Sequence, residues 1–187
     1  MRRLRLYRRR IAGARQVTLD DLRSLATNTR NGFSCWPAPY QMSPTLEDVE
    51  FLYALVRVTK PRVVLELGSG RGISGRFLAE ALAANEKGCL ITYEPDTDHA
   101  LAAHKMLSDL PAAVLHTRDE FEYLTDPDLV FIDSDYSRRT DDIAKWLDGT
   151  YAGLVCVHDA NRDYPGLKAG VGVFLPGSDG LWLGRAA

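Results

Sequence analysis

The sequence predicts an α/β fold built on a doubly wound, mostly parallel sheet, with N-terminal helices and a C-terminal antiparallel hairpin. Three observations predict this fold. A short apolar run at residues 63–67 leads into a glycine-rich turn and then a helix, which is the order found in the first unit of such sheets. Four further apolar runs alternate with helical patterns, and two last runs flank the turn-rich segment 176–180. The predicted sheet is therefore Rossmann-like and has seven strands.

The composition is that of one globular domain. With 187 residues and 45% hydrophobic side chains, the chain can bury a sizeable core but is too short for two ordinary domains. No apolar run approaches the ~20 residues of a membrane span, so no transmembrane segment is predicted. The cysteines Cys35, Cys89 and Cys156 are odd in number and form no Cys-x-x-Cys pair. This pattern indicates neither a disulfide framework nor a zinc site, and it favours the cytoplasm.

The chain divides by charge into a basic arm and an acidic body. Residues 1–15 contain seven arginines and no acidic residue, which leaves 16 basic and 25 acidic side chains in the remainder. We expect a solvated arm or an exposed helix. Contact with nucleic acid, an anionic membrane or a partner is an alternative, and so is an organelle presequence. We predict that residues 1–43 form the arm, a short helix and an aromatic loop, and that residues 44–187 form the ligand-binding domain.

The first helices are predicted from their start signals. Thr18 and Asp21 have the spacing of a capping box, which predicts a short helix ending near residue 27. Residues 28–43 form a loop rich in aromatic residues and proline, and this loop either covers the ligand pocket or plugs the edge of the sheet. The next helix is predicted to begin at Ser43–Pro44 and to end near residue 60.

The rest of the chain alternates helices and strands. Apolar residues at helical spacing predict helices over residues 73–85, 96–107 and 138–147. Short apolar runs predict strands over residues 63–67, 89–93, 112–116, 128–132 and 151–157, and a hairpin over residues 171–175 and 181–183. Little room remains near residues 163–170 for a further helix.

The glycine turn after the first strand has two interpretations. Gly70, Gly72 and Gly75 match the G-x-G-x-x-G pattern of dinucleotide-binding proteins, with Glu94 standing 19 residues beyond Gly75. The alternative gives weight to Glu66, which ends the strand just before the glycines. A carboxylate there is a poor neighbour for a pyrophosphate but a good one for a cationic ligand group. Glu66 therefore favours S-adenosylmethionine (SAM), whose sulfonium and amino groups are cationic.

With Glu66 followed by glycines at alternate positions, the stretch resembles the first motif of class I methyltransferases. The resemblance implies a SAM-binding domain over residues 44–187. Glu94, at the tip of the second strand, is the candidate for the ribose hydroxyls, and Asp119 is by resemblance the candidate for the adenine amino group. The predicted cofactor-binding residues are Glu66, Gly68, Ser69, Gly70, Gly72, Ser74, Glu94, Asp119 and Asp133.

Carboxylates also follow the fourth and fifth strands. Asp133 and Asp159 stand at the tips of strands that are neighbours in this fold, and hard oxygen ligands suit Mg²⁺ or a similar divalent cation. This resembles the metal-dependent O-methyltransferases of the catechol and caffeoyl-CoA type and related bacterial natural-product methyltransferases. The resemblance implies that Asp133 and Asp159 hold the metal. The Asn of the family's Asp-Asn pair is not matched, because Ala160 takes its position and Asn161 comes one residue late.

The predicted function is SAM-dependent O-methylation of a small hydroxylated molecule, assisted by a divalent metal. A metal on Asp133 would bind and acidify the acceptor hydroxyl, and His158 would act as general base. Tyr136 stands where plant-type enzymes carry a lysine. An NAD(P)-dependent oxidoreductase and a catalytically silent SAM-binding interaction module are the alternative functions. The hairpin and the N-terminal helices are candidate surfaces for a homodimer.

Overall fold

The computed structural model describes residues 17–26, 36, 44–110, 113–116, 126–176 and 180–187. These residues form five α-helices, one 3-10 helix and seven strands. The α-helices are α1 (Leu19–Arg23), α2 (Leu46–Thr59), α3 (Ile73–Ala84), α4 (Thr97–Leu107) and α5 (Tyr136–Trp146). The strands are β1 (Val63–Leu67), β2 (Cys89–Tyr93), β3 (Ala113–His116), β4 (Leu129–Ile132), β5 (Leu154–His158), β6 (Gly170–Leu175) and β7 (Leu181–Ala186).

All strands belong to one sheet, in the order β3-β2-β1-β4-β5-β7-β6. Strands β1 to β5 are parallel, whereas β7 runs antiparallel between β5 and β6. Leu67, the last residue of β1, is level with Tyr93 on β2 and with Ile132 on β4. The carboxyl ends of these three strands therefore meet at one edge. The predicted α/β fold, mostly parallel with an antiparallel C-terminal hairpin, is confirmed.

Capping boxes start the first two helices. In α1 the Thr18 hydroxyl accepts from the Asp21 backbone N–H, and the Asp21 carboxylate accepts from the Thr18 N–H, as predicted. The same reciprocal pair, Thr45 and Asp48, starts α2. Helix α2 therefore begins at Leu46 rather than at the predicted Ser43–Pro44. The Thr45 hydroxyl caps the helix by accepting one of the N–H groups of its first turn, whereas an early proline only lacks an N–H group that would need a partner.

Helices cover both faces of the sheet. Buried leucines of α2, α3 and α4 pack on one face against residues such as Val64 and Leu90. On the other face, Ile143 and Trp146 of α5 pack against alternate strand residues such as Leu65 and Val130. Because successive strand residues point to opposite faces, the even and odd positions of β1 serve the two layers of core. Glu66 therefore points to the same face as α3.

Two differences from the sequence prediction lie on either side of β5. Strand β5 begins at Leu154 rather than at Tyr151, because the Tyr151 ring folds back over Gly153, stacks edge-on against Trp146 and donates its hydroxyl to the Leu154 carbonyl. A 3-10 helix, Pro165–Ala169, occupies the interval in which little room for a helix was expected.

Trp36 is the one described residue of the predicted aromatic loop. Its ring is buried, meets Phe77 of α3 edge to face at 6.1 Å, and donates its Nε1–H to the Pro44 carbonyl at 2.6 Å. Trp36 is therefore part of the core beside α3, and the two interpretations of the rest of the loop stay predictions. The basic arm lies outside the described residues, as does most of the loop. Among the described helices, none is long and apolar enough to cross a membrane.

Candidate functional site

The candidate site lies where the chain reverses its direction across the sheet. Strand β1 connects through α3 to β2 on one side, whereas β4 and β5 extend the sheet on the other side. Ligands of doubly wound sheets bind beyond the carboxyl ends of the strands at such a switch point. The glycine turn after β1 and the Asp133 turn after β4 meet there. The Asp133 N–H donates to the Leu67 carbonyl at 2.8 Å.

Gly68 lets the two turns touch. Its φ is +86°, and a Cβ placed on it would lie 2.4 Å from the Asp133 carbonyl oxygen and 2.7 Å from the Ser134 Cα. No side chain fits in that space, and the positive φ is itself unfavourable for other residues. The N–H groups of Gly68 and Ser69 both donate to the Tyr93 carbonyl at the end of β2. The glycine turn is thereby held against two neighbouring strands.

Glu94 connects the tip of β2 to the same turn. Its side chain is buried, and its carboxylate accepts the Gly70 N–H at 2.7 Å and the Asp96 N–H at 3.0 Å. Burial raises the pKa of Glu94, although these two hydrogen bonds oppose the shift. The structure therefore brings Glu94 to the glycine turn, at the strand tip where the sequence predicted it.

Glu66 lies beneath the turn, fully buried between β1 and α3. Its Oε2 accepts the Thr92 hydroxyl at 2.5 Å, while Oε1 has no hydrogen-bond partner among the described residues. A Cβ on Gly75 would approach Glu66 Oε2 to 2.8 Å. A glycine is therefore needed at position 75 to leave room for the Glu66 side chain. This removes the third glycine as support for the dinucleotide interpretation.

The buried position of Glu66 has a consequence for its charge. Loss of solvent raises the pKa of Glu66 to about 7, against hydrogen bonds from Ser74 and Thr92 that lower it. The folded protein therefore binds this proton more tightly than the unfolded chain does. The free energy of unfolding therefore falls as the pH rises from the ordinary carboxyl pKa through about 7. The unfolded chain loses this proton readily in that range, whereas the folded state holds it strongly.

Replacing Glu66 with glutamine is expected to make the ligand-free protein more stable at pH 8 than the wild type, with a much smaller difference at pH 5. Glutamine has no proton to lose, and the shift corresponds to about 3 kcal/mol. Urea unfolding at the two pH values measures the difference. Glu47→Gln, on the exposed first turn of α2, is the control and should show no such pH dependence. An equal effect of Glu66→Gln at both pH values would contradict the buried carboxyl.

The second part of the site is a polar cluster at the tips of β4 and β5, formed by Asp133, Arg139, His158 and Asp159. The Arg139 guanidinium donates to Asp133 Oδ1 at 3.0 Å and to Asp159 Oδ2 at 2.5 Å. His158 Nδ1 also bonds Asp133 Oδ1, at 2.9 Å. Asp159 has a φ of +54°, a left-handed conformation that aspartate tolerates better than most residues. The two predicted carboxylates are therefore brought together, as expected, but with cations between them.

His158 is surrounded by carboxylates. Burial alone would lower its pKa, but Asp133, then Asp48 and Asp159, outweigh burial and raise it to about 10. Its Nε2 lies 3.5 Å from Asp48 Oδ2 without hydrogen-bond geometry. A pKa raised in this way favours the imidazolium form of the ring at neutral pH. The predicted role of His158 as a general base stays a prediction, and it requires the neutral ring, because an imidazolium has no lone pair with which to accept a proton.

The geometry of the polar cluster decides whether it can hold a divalent metal. Ligand atoms of Asp133, His158 and Asp159 lie within 4.8 Å of one another, which is close enough to share an ion. However, the Arg139 guanidinium already lies between these groups and bonds both carboxylates. The buried Ala160 supplies no third oxygen in place of the family's asparagine. As arranged here, these residues do not fit a divalent cation.

Sequence reasoning missed two members of the site, Arg139 and Asp48. Arg139 stands four and seven residues before Ile143 and Trp146, which places it on the buried face of α5, and this helical spacing was the available signal. Asp48 belongs to the capping box of α2, and its side chain is also buried beside His158. The remaining predicted residues, Ser69, Ser74 and Gly72, lie in the glycine turn or the first turn of α3. Asp119 lies outside the described residues.

Comparison with known proteins agrees with this fold. Residues 65–160 match the family model described as a methyltransferase domain. No curated protein matches the chain. A SAM-bound O-methyltransferase from Streptomyces achromogenes, involved in tomaymycin synthesis, is 19% identical, with a TM-score of 0.61 over 88% of this chain and 93% of that one. An O-methyltransferase from Bacillus cereus in complex with S-adenosylhomocysteine (SAH) is 18% identical, with a TM-score of 0.62 over 99% and 97%.

A third similar structure is an SAH-bound methyltransferase from Podospora anserina, which is 17% identical with a TM-score of 0.65 over 100% of this chain and 94% of that one. At these identities the structures show a shared fold. The family model covers more than half of the chain, from the middle of β1 to just beyond β5, and includes both parts of the site. The predicted resemblance to class I methyltransferases is confirmed, and the chain belongs to the methyltransferase-domain family.

Proposed function

We propose that the chain binds SAM at the glycine turn and transfers its methyl group to an oxygen atom of a small hydroxylated molecule. The observation that carries the proposal is the pair of carboxylates at the turn: Glu66 lies below it, and Glu94 beside it accepts the Gly70 N–H. Carboxylates favour the cationic groups of SAM and disfavour a pyrophosphate. The SAM-bound and SAH-bound states of the Streptomyces, Bacillus and Podospora proteins support the same cofactor.

Two buried polar atoms near the turn fit a bound cofactor. Glu66 Oε1 and the Ser69 hydroxyl have no hydrogen-bond partner among the described residues. Buried polar atoms are nearly always paired, so each is a candidate contact for a ligand or an ordered water. Glu94 is proposed to face the ribose hydroxyls and Asp133 to bound the methyl-transfer side of the pocket. The backbone is proposed to approach the cofactor closely along the glycine turn and the start of α3, at Gly68, Gly70, Gly72 and Ser74.

The acceptor is proposed to enter beside Tyr136, at the start of α5. This ring is 60% exposed, lies 5.9 Å from the Tyr164 ring and has the Arg162 guanidinium 5.4 Å from its centre. A flat hydroxylated molecule would stack on such a surface. SAM supplies an electrophilic methyl group, so the protein has to align the acceptor oxygen and shield the reaction from water. Asp159, the more exposed of the two cluster carboxylates, is available to accept a hydrogen bond from the hydroxyl.

The test is transfer of an isotopically labelled methyl group from SAM to a panel of phenols, catechols and sugars, with mass spectrometry of the products. We expect a labelled O-methyl product from at least one flat hydroxylated acceptor, and a loss of at least tenfold in kcat/KM for Tyr136→Ala. Tyr136→Phe is the control, because it retains the ring, and its kcat/KM should stay within about threefold of the wild-type value. Labelled N-methyl or C-methyl products alone would contradict transfer to oxygen.

A catalytically silent SAM-binding module is the second candidate function. It is favoured by the polar cluster, in which His158 is protonated and Arg139 bonds both carboxylates. Such a protein would bind SAH but transfer no methyl group to any acceptor. We also propose a cytoplasmic location and a homodimer through the hairpin or the N-terminal helices.

A further inference from the structure

We infer that the Arg139 guanidinium takes the place of a divalent cation between the tips of β4 and β5, so that this edge of the site is organised without a metal. The inference starts from the two carboxylates of the polar cluster, Asp133 and Asp159. Each follows a different strand, and both bond the same guanidinium, through Nη2 and Nη1 respectively. One side chain from α5 thereby joins both strand tips, which is what a bridging metal ion would do.

The guanidinium is held from several directions. Its Nε donates to the Ser134 carbonyl at 2.8 Å, just beyond β4, and its Nη1 donates to the His158 carbonyl at 3.1 Å, at the end of β5. The residue is only 5% exposed. Its contacts therefore include a main-chain carbonyl and a carboxylate from each of the two strand ends. A surface arginine that reached the cluster by chance would not make this set of contacts.

Charge and geometry both favour arginine over a metal here. Arginine is always protonated in proteins, and its planar fork matches carboxylate oxygens on two sides. A divalent cation in the same space would lie against the guanidinium and would have to break both of its carboxylate bonds. The cluster also lacks the asparagine oxygen that accompanies the second carboxylate in the metal-dependent relatives, with Ala160 in its place.

The inference concerns the site of the proposed function but can fail independently of it, because metal binding can be measured without an acceptor. Titration of the full-length protein with Mn²⁺, followed by electron paramagnetic resonance, is the test. We expect no binding to the wild type at concentrations up to about 1 mM, and equal SAH affinity in EDTA and in Mg²⁺, within twofold. We expect Arg139→Ala to gain a Mn²⁺ site at least tenfold tighter than any site in the wild type.

Arg139→Lys is the matched variant, because it keeps a positive charge in the cluster and should bind no Mn²⁺. Adding Asp133→Asn to Arg139→Ala should remove the gained site. Circular dichroism checks that each variant folds. If Arg139→Ala does not fold, the wild-type titration and Arg139→Lys still test the inference. Micromolar Mn²⁺ binding by the wild type would overturn it, and so would a folded Arg139→Ala protein that gains no Mn²⁺ site.

Discussion

Replacing Gly68 with alanine is expected to abolish SAH binding and to lower the free energy of unfolding by about 3 kcal/mol. A Cβ at this position would lie 2.4 Å from the Asp133 carbonyl oxygen, and the atoms it meets are backbone atoms that cannot rotate away. The alanine would also be held at a φ of +86°. The glycine turn would have to move off the tip of β4, which would open the crevice where the cofactor is proposed to bind. Urea unfolding and calorimetric titration with SAH measure the two effects.

Gly70→Ala is the control for this prediction. Gly70 also has a positive φ, at +50°, but a Cβ there would meet no atom within 4 Å. Its cost is expected to be about 1 kcal/mol, from backbone strain alone. The difference between the two variants therefore isolates the contact between the turns after β1 and β4. Equal stability and equal SAH affinity of the two variants would show that the turns do not touch as described.

Replacing Asp133 with asparagine is expected to cost about 3 kcal/mol of stability at pH 7 and to weaken SAH binding. Asparagine can still accept hydrogen bonds, but it leaves Arg139 and His158 with one carboxylate fewer in a largely buried cluster. The pKa of His158 should fall, because Asp133 is the main group that raises it. Urea unfolding of both proteins at pH 7 and at pH 10 measures these effects.

The pH dependence gives this prediction a definite sign. A raised histidine pKa adds stability that is complete below the ordinary value near 6.5 and is lost as the pH approaches about 10. The advantage of the wild type over Asp133→Asn should therefore shrink at pH 10. Asp135→Asn is the control, since Asp135 is exposed and its side chain makes no capping hydrogen bond, and its effect should stay within about 0.5 kcal/mol. A constant difference across the pH range would contradict a charged His158.

The parts of the site that the sequence predicted are those set by local pattern and strand order. A buried strand, a glycine turn and a helix follow one another within residues 63–84, so the location of the crevice was readable from a single stretch. Carboxylates directly after parallel strands meet at one edge because all such strands end there. Strand order alone therefore predicted that Glu94, Asp133 and Asp159 lie at the same edge of the sheet.

The parts that the sequence did not predict depend on how side chains pair across the fold. Arg139 bonds groups six and twenty residues away in the chain, and nothing in the spacing of charges identifies those partners. His158 was predicted to be a neutral base from its ordinary pKa. Its pKa is raised mainly by Asp133 and further by Asp48, which reaches it from α2 on another part of the chain. Protonation states in such a cluster follow from burial and neighbours, which only three-dimensional contacts provide.

The polar cluster at the tips of β4 and β5 carries other charges than the sequence predicted. Instead of two free acids and a neutral histidine, it contains two carboxylates neutralised by a guanidinium and an imidazolium. Such a network fixes the positions of both strand tips and leaves Asp159 as its most exposed carboxylate. The methyl donor is already reactive, so alignment of the acceptor is the main contribution expected from this edge.

The central claim is that the glycine turn binds SAM, and calorimetric titration of the wild-type protein with SAH tests it most directly. The titration is made in EDTA, with NAD⁺ as the control ligand at the same concentrations. We predict a micromolar Kd for SAH, about −8 kcal/mol, and no binding of NAD⁺. Binding of NAD⁺ without binding of SAH would contradict the assignment of Glu66 and the glycine turn to a cationic cofactor.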